Sequence, residues 1–272
     1  MDDFSILMSV YNGDKAEPFA DALKSVLVGS SIKPTQTVLV VDGPISAELN
    51  KVIDVFESDL TVVRIKDNVG LSNALNIGLD HCNFDLIFRM DSDDISTPDR
   101  FELQLEFFKK FTNAAMCSSW VAHYDETMLQ YLGDRKLPEL PSEVHRYSFT
   151  RTPINHPATA FRKSFVMKAG GYPDTRLPFE DWWLSLRVIK YGGEIYNLPK
   201  YLVNVRASAD FHARRSGIKY LISEYNAIYL MHKEKIISTK WALANLLIRT
   251  PFRLLPKSAL NIVYKNIIRK IF

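Results

Sequence analysis

Residues 85–94 read DLIFRMDSDD, an apolar segment that runs directly into an acidic cluster. Asp85–Met90 predicts a short strand buried on both faces, because its apolar residues follow one another without alternation. Asp91, Asp93 and Asp94 then place three carboxylates within four residues. Carboxylates this close repel one another unless a cation or an arginine joins them. The junction therefore predicts a buried strand whose carboxyl end carries a charged site.

The chain upstream of this junction alternates apolar, strand-like runs with segments of helical periodicity. Strands are predicted at Phe4–Val10, Thr37–Val41 and Thr61–Ile65, and helices near residues 18–27, at Ser46–Glu57, at Leu71–Cys82 and, beyond the cluster, at Pro98–Phe111. Such repetition implies parallel strands joined by crossover helices. Ligands bind beyond the carboxyl ends of such strands, where this chain has Tyr11-Asn12, Asp42, Asp67-Asn68 and the acidic cluster.

The second half of the chain is less regular. Further strands are predicted near Ala115–Tyr124, Ala158–Phe161, Glu194–Leu198 and Tyr201–Val205, and helices at Lys163–Ala169, at Glu180–Tyr191 and from about Gly217 onward. The predicted fold class is α/β, with a mostly parallel, Rossmann-like sheet flanked by helices over residues 1–217. A helical, basic C-terminal extension is predicted for residues 218–272.

The composition is that of a globular protein with a sizeable core. The chain has 272 residues, of which 47% are hydrophobic and 24% are charged, which fits one large domain or a domain with an appendage. Cys82 and Cys117 form neither a disulfide framework nor a metal cluster, so buried reduced thiols are expected. The acidic N-terminus lacks the features of a signal peptide, and no apolar run reaches the ~18 residues of a spanning helix. A cytoplasmic location is expected.

The C-terminal segment differs in charge from the rest of the chain. From Lys235 onward it carries eight Lys and Arg residues and no Asp or Glu, although the net charge of the chain is only +3. Pro251 and Pro256 are predicted to divide it into short helices, and an amphipathic pattern recurs at Leu260, Val263, Ile267 and Ile271. Such a pattern suits an anionic membrane surface. The alternative is a helix packed on the body with a solvated basic face, whereas nucleic-acid binding is not expected of an acidic body without a recognised motif.

The acidic cluster has the chemistry of a cation site. Its hard oxygen ligands suit Mg²⁺ or Mn²⁺ held together with diphosphate oxygens from a substrate. Neither a G-x-G-x-x-G sequence nor a Walker A sequence follows the first strand, so a metal ion would have to neutralise the diphosphate. An EF-hand is excluded because Ile95 and Ser96 occupy positions that need an oxygen ligand and a glycine. The alternative is a solvated loop that caps the next helix.

In their order along the chain, several segments resemble the family 2 glycosyltransferases of the GT-A fold. Within that family, the resemblance is to the bacterial enzymes that assemble O-antigen and exopolysaccharide repeat units. The matching stretches span about residues 4–217 and are Ser9–Gly13, Val40–Pro44, Asn68–Leu71, Arg89–Asp94, Arg100–Glu102, Asn155–Pro157, Gly170–Tyr172, Glu180-Asp181 and Arg214-Arg215. Each stretch is common by itself, and the ordered set carries the resemblance.

The resemblance implies a role for each matching position. Nucleotide-binding residues would be Val10, Tyr11, Asn12, Asp42, Asn68, Gly70, Asp91, Ser92 and, from a further loop, Arg214 and Arg215. Asp93, with Asp91, would bind Mn²⁺ or Mg²⁺, and Asp181, beside Glu180, would be the catalytic base. The acceptor would meet Asn155, His156 and Trp182, although the Trp182-Trp183 pair departs from the usual family pattern.

The resemblance also implies the reaction and its partners. A hexose, glucose or galactose, would pass with inversion from a UDP-sugar donor to a hydroxyl of a sugar that is linked through diphosphate to a polyprenol. The enzyme would then work at the inner face of the plasma membrane. Two other functions share some of these features: a nucleotidyltransferase that makes nucleotide sugars, and a non-catalytic subunit that binds them.

Several of these residues have ordinary structural alternatives. Acidic residues such as Glu180 and Asp181 are favoured in the first turn of any helix. Arg214 and Arg215 fit a solvated turn equally well, and His212 is a candidate third metal ligand on thin grounds. A hydrogen-bonded structural role is open for His156, as is core packing for one of the two tryptophans, Trp182 and Trp183.

Overall fold

A computed structural model describes residues 3–207 and 217–254 of the chain. The nine strands of this part are β1 (Phe4–Val10), β2 (Gln36–Asp42), β3 (Thr61–Ile65), β4 (Leu86–Met90), β5 (Ile95–Ser96), β6 (Ala114–Tyr124), β7 (Tyr131–Arg135), β8 (Ala160–Arg162) and β9 (Glu194–Arg206). Its α-helices are α1 (Ala16–Leu27), α2 (Ala47–Val55), α3 (Leu71–His81), α4 (Arg100–Lys110), α5 (Pro141–Ser148), α6 (Lys163–Lys168), α7 (Glu180–Lys190), α8 (Ile218–Lys233) and α9 (Thr239–Leu254). His212, Arg214, Arg215 and the amphipathic pattern from Leu260 to Ile271 lie outside the described residues.

All nine strands belong to one sheet in the order β3-β2-β1-β4-β8-β6-β9-β5, and β7 pairs with the C-terminal part of β6. Strands β3, β2, β1 and β4 are mutually parallel, as the strand–helix repetition predicts. Beyond β4 the sheet becomes mixed, because β8 runs antiparallel to both β4 and β6, whereas β6 and β9 are parallel. The α/β class with helices around a central sheet is therefore confirmed, and the parallel pattern belongs mainly to its first half.

Both faces of the parallel half are covered by apolar side chains. On one face Phe4, Phe88 and Phe101 form a trio of rings with centroids 4.7 to 5.2 Å apart. On the other face α3 lies so close to the sheet that a Cβ at Gly78 would come within 2.4 Å of Leu7. Burial on both faces explains why the inner strands of this half are continuous apolar runs. The site is built at the edge where these parallel strands have their carboxyl ends.

Two expectations for the second half were wrong, and two of its elements were not predicted. Glu194–Leu198 and Tyr201–Val205 are parts of one strand, β9, because the register shift opposite Ser119 and Trp120 accommodates Pro199 and Lys200 as a bulge. Pro251 does not end a helix: it lies inside α9, which continues to Leu254 although proline lacks the amide donor for one hydrogen bond to the preceding turn. The elements not predicted are β7 and α5, between β6 and β8, and β7 includes Gly133 and lacks an apolar period.

The chain divides into two compact units. One comprises Met1–Arg176 with Glu180–Arg206, and the other comprises Leu177–Phe179 with Ala207–Phe272. The functional division at residue 217 stays a prediction. Cys82 and Cys117 are buried free thiols in the first unit, as expected. No helix of the described residues is both long enough and apolar enough to cross a membrane.

Candidate active site

The parallel strands end at one rim, and Tyr11 stands there with its ring exposed. The chain turns back after β1, so that a Cβ at Gly13 would fall 2.4 Å from the Tyr11 ring. The turn is closed by Asp14, whose carboxylate accepts hydrogen bonds from the Tyr11 amide and the Ser92 hydroxyl, both at 3.0 Å. Asn12 is exposed beside them, whereas the Val10 side chain is fully buried in the core. Val10 therefore offers a nucleotide only its backbone.

Asp42 stabilises the loop that follows β3 through hydrogen bonds to its side chain. Its side chain is buried, and its carboxylate accepts hydrogen bonds from the amides of Val69 (2.7 Å) and Gly70 (3.0 Å) and from the side chain of Asn68 (3.0 Å). Gly70 has a φ of 87°, a conformation that side chains other than glycine rarely adopt. Asp42, Asn68 and Gly70 are thus brought together as predicted, but Asp42 acts mainly by shaping the loop.

The acidic cluster forms the next part of the rim. Asp93 is exposed, and its pKa is raised to about 6 by partial desolvation and by the neighbouring charges of Asp91 and Asp14. Burial raises the pKa of Asp94 well above its usual range, with Asp91 and Asp93 adding to the effect. Burial also raises the pKa of Asp14. Four carboxylates therefore converge here, and the pKa values of three of them, Asp14, Asp93 and Asp94, are raised.

Arg206, at the end of β9, fixes the backbone of this acidic turn. Its amide donates to the Asp94 carboxylate at 2.9 Å, and its Nε donates to the Asp93 carbonyl at 3.0 Å. The same guanidinium forms an ion pair with Asp21 at 3.3 Å on α1. Neither Arg206 nor Asp14 was predicted as part of the site, since neither lies in a distinctive sequence pattern and each reaches the turn from a distant part of the chain.

The residues of the rim fit a divalent cation. Asp91 and Asp93 supply hard oxygen ligands, and a cation would relieve the repulsion that raises the pKa of Asp93. Within the described ranges, no three His, Cys, Asp or Glu side chains are arranged as a group that could hold a metal ion. The donor set is therefore one that oxygens of a bound diphosphate would have to complete.

Glu180 and Asp181 open helix α7 and have different surroundings. The Asp181 carboxylate accepts hydrogen bonds from the Thr152 hydroxyl (3.0 Å) and from the Trp182 amide (2.7 Å). Glu180 lies 3.9 Å from His156, and its pKa is raised to about 7 by burial and by the adjacent charge of Asp181. Both residues are half-buried, so first-turn acids of this helix are not simply solvated.

The structure corrects the predicted acceptor contacts. Trp182 is 1% exposed and its Nε1 donates to the Ser148 carbonyl, so the core-packing alternative holds and its ring cannot stack on a sugar in this conformation. Asn155 is 2% exposed, with its amide group hydrogen-bonded to Ser119 and Arg135. Both residues support the site from within and do not face an acceptor.

His156 also has a structural role in this conformation. Its Nε2 is 2.9 Å from the Tyr172 hydroxyl, and burial together with the charge of Arg89 lowers its pKa well below the usual range. A neutral imidazole is therefore expected at neutral pH. Asn76 in turn holds the Tyr172 backbone through two hydrogen bonds, which ties the motif Gly170–Tyr172 to helix α3.

Comparison with solved structures identifies the class of the fold. A crystal structure of S. aureus TarS 1-349 matches with a TM-score of 0.67 over 90% of this chain and 70% of that chain, at 16% identity. A second structure of the same protein, in complex with UDP-GlcNAc, matches with a TM-score of 0.66 over 86% of this chain and 70% of that chain. At this identity the likeness concerns the fold alone, which is that of the GT-A glycosyltransferases.

Sequence comparison identifies the family. The model of "Glycosyl transferase family 2" matches residues 5–170. The chain is 37% identical to a UDP-Gal:alpha-D-GlcNAc-diphosphoundecaprenol beta-1,3-galactosyltransferase of Escherichia coli, over 98% of this chain and 97% of the relative. It is 34% identical to the amylovoran biosynthesis glycosyltransferase AmsE of Erwinia amylovora, over 97% and 98% of the two chains. The chain belongs to glycosyltransferase family 2, whose members generally use a divalent metal ion, and the predicted family is confirmed.

Proposed function

We propose that this enzyme transfers a hexose, with galactose the first candidate, from a UDP-sugar to a hydroxyl of a diphospholipid-linked sugar during assembly of a surface polysaccharide. The observation that carries the proposal is the convergence of Asp91, Asp93 and Asp14 at the rim where Tyr11 is exposed. An exposed aromatic ring suits a nucleobase, and the carboxylates suit a metal-bound diphosphate. The near full-length similarity to the E. coli galactosyltransferase supports the choice of donor and acceptor.

The chain's own residues divide the work of the transfer. Tyr11 and the loop that Asp42 stabilises hold the nucleoside. Asp91 and Asp93 would hold the metal ion. A bound Mn²⁺ or Mg²⁺ would supply charge stabilisation for the departing diphosphate. Asp181 accepts the proton of the acceptor hydroxyl as general base, and Glu180 stands next to it. Arg214 and Arg215 are proposed to contact the diphosphate.

A screen of nucleotide sugars against a synthetic N-acetylhexosamine-diphospholipid acceptor tests the proposed function. We expect transfer from one UDP-hexose in the presence of Mn²⁺, and donor hydrolysis without acceptor at a lower rate. The choice between glucose and galactose depends on only a few hydrogen bonds, so the screen itself has to identify the donor sugar. Lack of both transfer and hydrolysis with every UDP-sugar would reject the assignment of the donor.

The raised pKa of Glu180 predicts a pH-dependent stability. The folded-state pKa of about 7 exceeds the unfolded value. The contribution of Glu180 to the free energy of unfolding is therefore fully present below about pH 4.5 and is lost as the pH rises through 7. Glu180→Gln, which cannot ionise, should gain stability relative to wild type between pH 5 and pH 8, by up to about 2–3 kcal/mol. Urea unfolding of the metal-free proteins at both pH values measures the gain.

The exposed residue Glu57 provides the control for this measurement, since Glu57→Gln should leave the pH dependence of unfolding as it is in wild type. A gain for Glu180→Gln that is equal at pH 5 and pH 8 would mean that Glu180 ionises normally in the folded protein.

The second unit carries an apolar surface that suits contact with a membrane. Helices α8 and α9 run antiparallel, since Tyr225 contacts Thr250 and Glu224 pairs with both Arg249 and Arg253. Exposed apolar residues recur at helical spacing on both helices, and they are Ile218, Ile222 and Tyr229 on α8 and Leu243 and Leu247 on α9. On each helix, these exposed apolar residues lie about a quarter turn around the helix axis from the residues that contact the other helix. The direction of this rotation is the same on both helices, and the helices are antiparallel, so both sets of residues lie on one side of the hairpin.

The charge around these two sets of residues favours an anionic surface as their partner. Lys219, Lys233 and Lys240 are exposed on the hairpin, whereas its buried acid, Glu224, is neutralised by two arginines. Apolar residues surrounded by lysines bind anionic lipid through burial and charge together. We infer that the hairpin holds the enzyme at the membrane that contains its lipid-linked acceptor, at the cytoplasmic face, with the predicted basic tail extending this contact.

Vesicle binding tests the membrane contact. Ile222→Glu combined with Leu247→Glu should weaken binding of the full chain to vesicles with anionic lipid by about tenfold or more, because two aliphatic side chains are lost from the interface. Val55→Glu combined with Leu140→Glu changes two exposed apolar positions of the first unit and adds the same charge, so this variant is the matched control and should bind like wild type. Equal binding by all three proteins would refute this surface, and the same loss in the control would assign the effect to net charge.

A further inference from the structure

Arg89 is a buried cation to which the family motifs assign no separate role. It lies on β4, two residues before Asp91, and its side chain is 2% exposed. One edge of the guanidinium, through Nη2, contacts the Asp91 carboxylate. The remaining nitrogens, Nε and Nη1, are buried and have no hydrogen-bond partner within residues 3–207 and 217–254.

Such an arrangement is costly and calls for an explanation. A buried donor without a partner destabilises the folded protein, and more so when the group is charged. Replacing a buried ion pair by an apolar side chain of similar volume is often neutral or stabilising. Arg89 is therefore hard to account for by stability alone, which favours a role in the site.

The backbone holds Arg89 in a fixed place. Its amide donates to the Thr159 carbonyl at 2.9 Å, and its carbonyl accepts from Nη2 of Arg100 at 2.7 Å. Arg100 is itself fully buried and is oriented by Gln104 on α4. The backbone of Arg89 is thus held in place within β4, and from this position its guanidinium contacts Asp91.

The charge of Arg89 acts on both halves of the site. On the donor side it contacts Asp91 directly. On the side of helix α7 it lowers the pKa of His156 and opposes the raised pKa of Glu180.

We propose that Arg89 is a positioning residue that orients Asp91 for metal binding. Its contact with one oxygen of Asp91 leaves the other oxygen for the metal ion. The proposal rests on the proposed function only in taking Asp91 and Asp93 as the residues that hold the metal. Arg89 itself is shielded from solvent and does not touch the substrate.

Calorimetric binding of UDP with and without Mn²⁺ separates positioning from folding. In wild type, Mn²⁺ should strengthen UDP binding, and the ratio of the two affinities defines the metal-dependent increment. Arg89→Met should reduce this increment at least about tenfold, the size of effect seen when groups that orient metal ligands are removed, with the affinity for UDP alone within about twofold. Arg89→Lys keeps the charge without the forked geometry and should recover part of the increment.

Arg162→Met is the matched control, because Arg162 also forms an ion pair with an aspartate, Asp85, but at the end of β4 opposite the acidic cluster. It should lower the unfolding temperature. It should leave the metal-dependent increment within about twofold of wild type, because it does not contact a residue that would hold the metal ion. Equal loss of the increment in both variants would make Arg89 a structural residue and overturn the inference, as would an unchanged increment in Arg89→Met.

The result for wild type distinguishes this inference from the proposed function. If wild type binds UDP without any effect of Mn²⁺, the metal-holding role of Asp91 and Asp93 is rejected and the inference is rejected with it. If wild type shows the increment and Arg89→Met retains it, only the role of Arg89 is rejected.

Discussion

Asp181→Asn is expected to lower the rate of transfer by about 10³-fold while the affinity for UDP stays within about twofold of wild type. The asparagine carbonyl can still accept from the Trp182 amide, and its NH₂ group can donate to the Thr152 hydroxyl, so the first turn of α7 keeps its hydrogen bonds. What is lost is the ability to take a proton from the acceptor. Single-turnover transfer of labelled sugar and calorimetric binding of UDP measure the two effects separately.

Two further variants make the result specific to Asp181. Asp174→Asn changes an exposed carboxylate shortly before the same helix and should leave transfer unchanged. Glu180→Gln should reduce transfer less than Asp181→Asn, because Glu180 is partly protonated near neutral pH. If Glu180→Gln is the more damaging change and Asp181→Asn retains turnover, the proton acceptor is Glu180.

Asp93→Asn is expected to produce the second large loss, about 10²–10³-fold in transfer, from the removal of charge that stabilises the leaving group. Unlike Asp181→Asn, this variant should also lose the strengthening of UDP binding by Mn²⁺. The fold should persist, because the Asp93 carboxylate is exposed and the backbone of the turn is held by Arg206. Titration of UDP at increasing Mn²⁺ measures the loss.

Asp125→Asn is the control, since Asp125 is a surface aspartate whose carboxylate accepts backbone hydrogen bonds within its own turn. It should retain both transfer and the effect of Mn²⁺. Full activity of wild type in excess chelator, together with an active Asp93→Asn, would remove the metal ion from the mechanism.

The sequence was sufficient to predict the parallel half of the fold. Strands β1 and β3 begin and end where the sequence predicts. Burial on both faces explains the continuous apolar run of β1, whereas β3 is an edge strand whose residues are exposed or half-buried. It also placed Asp42, Asn68 and the acidic cluster at one edge, since parallel strands present their carboxyl ends together. This part of the site follows from local pattern and the rules of chain connection.

The second half was less predictable because its structure depends on pairing between distant segments. Strand β7 is stabilised by its ladder with β6, and β9 passes through Pro199 only because a bulge against β6 absorbs it. Neither feature has a local periodicity that a sequence could display. The same holds for Asp14 and Arg206, which join the acidic turn from residues 78 and 113 positions away along the chain.

By itself, the sequence determined the α/β class, the family and the kinds of side chain at the rim. Only the tertiary structure decided which of them face a ligand. Asn155 and Trp182 have residue types suited to sugar binding, yet their polar groups are hydrogen-bonded inside the protein, whereas Arg89 contacts Asp91 from a buried position. The physical reason is that residue type sets what a side chain can bind, while burial and hydrogen-bond partners set what remains free to bind.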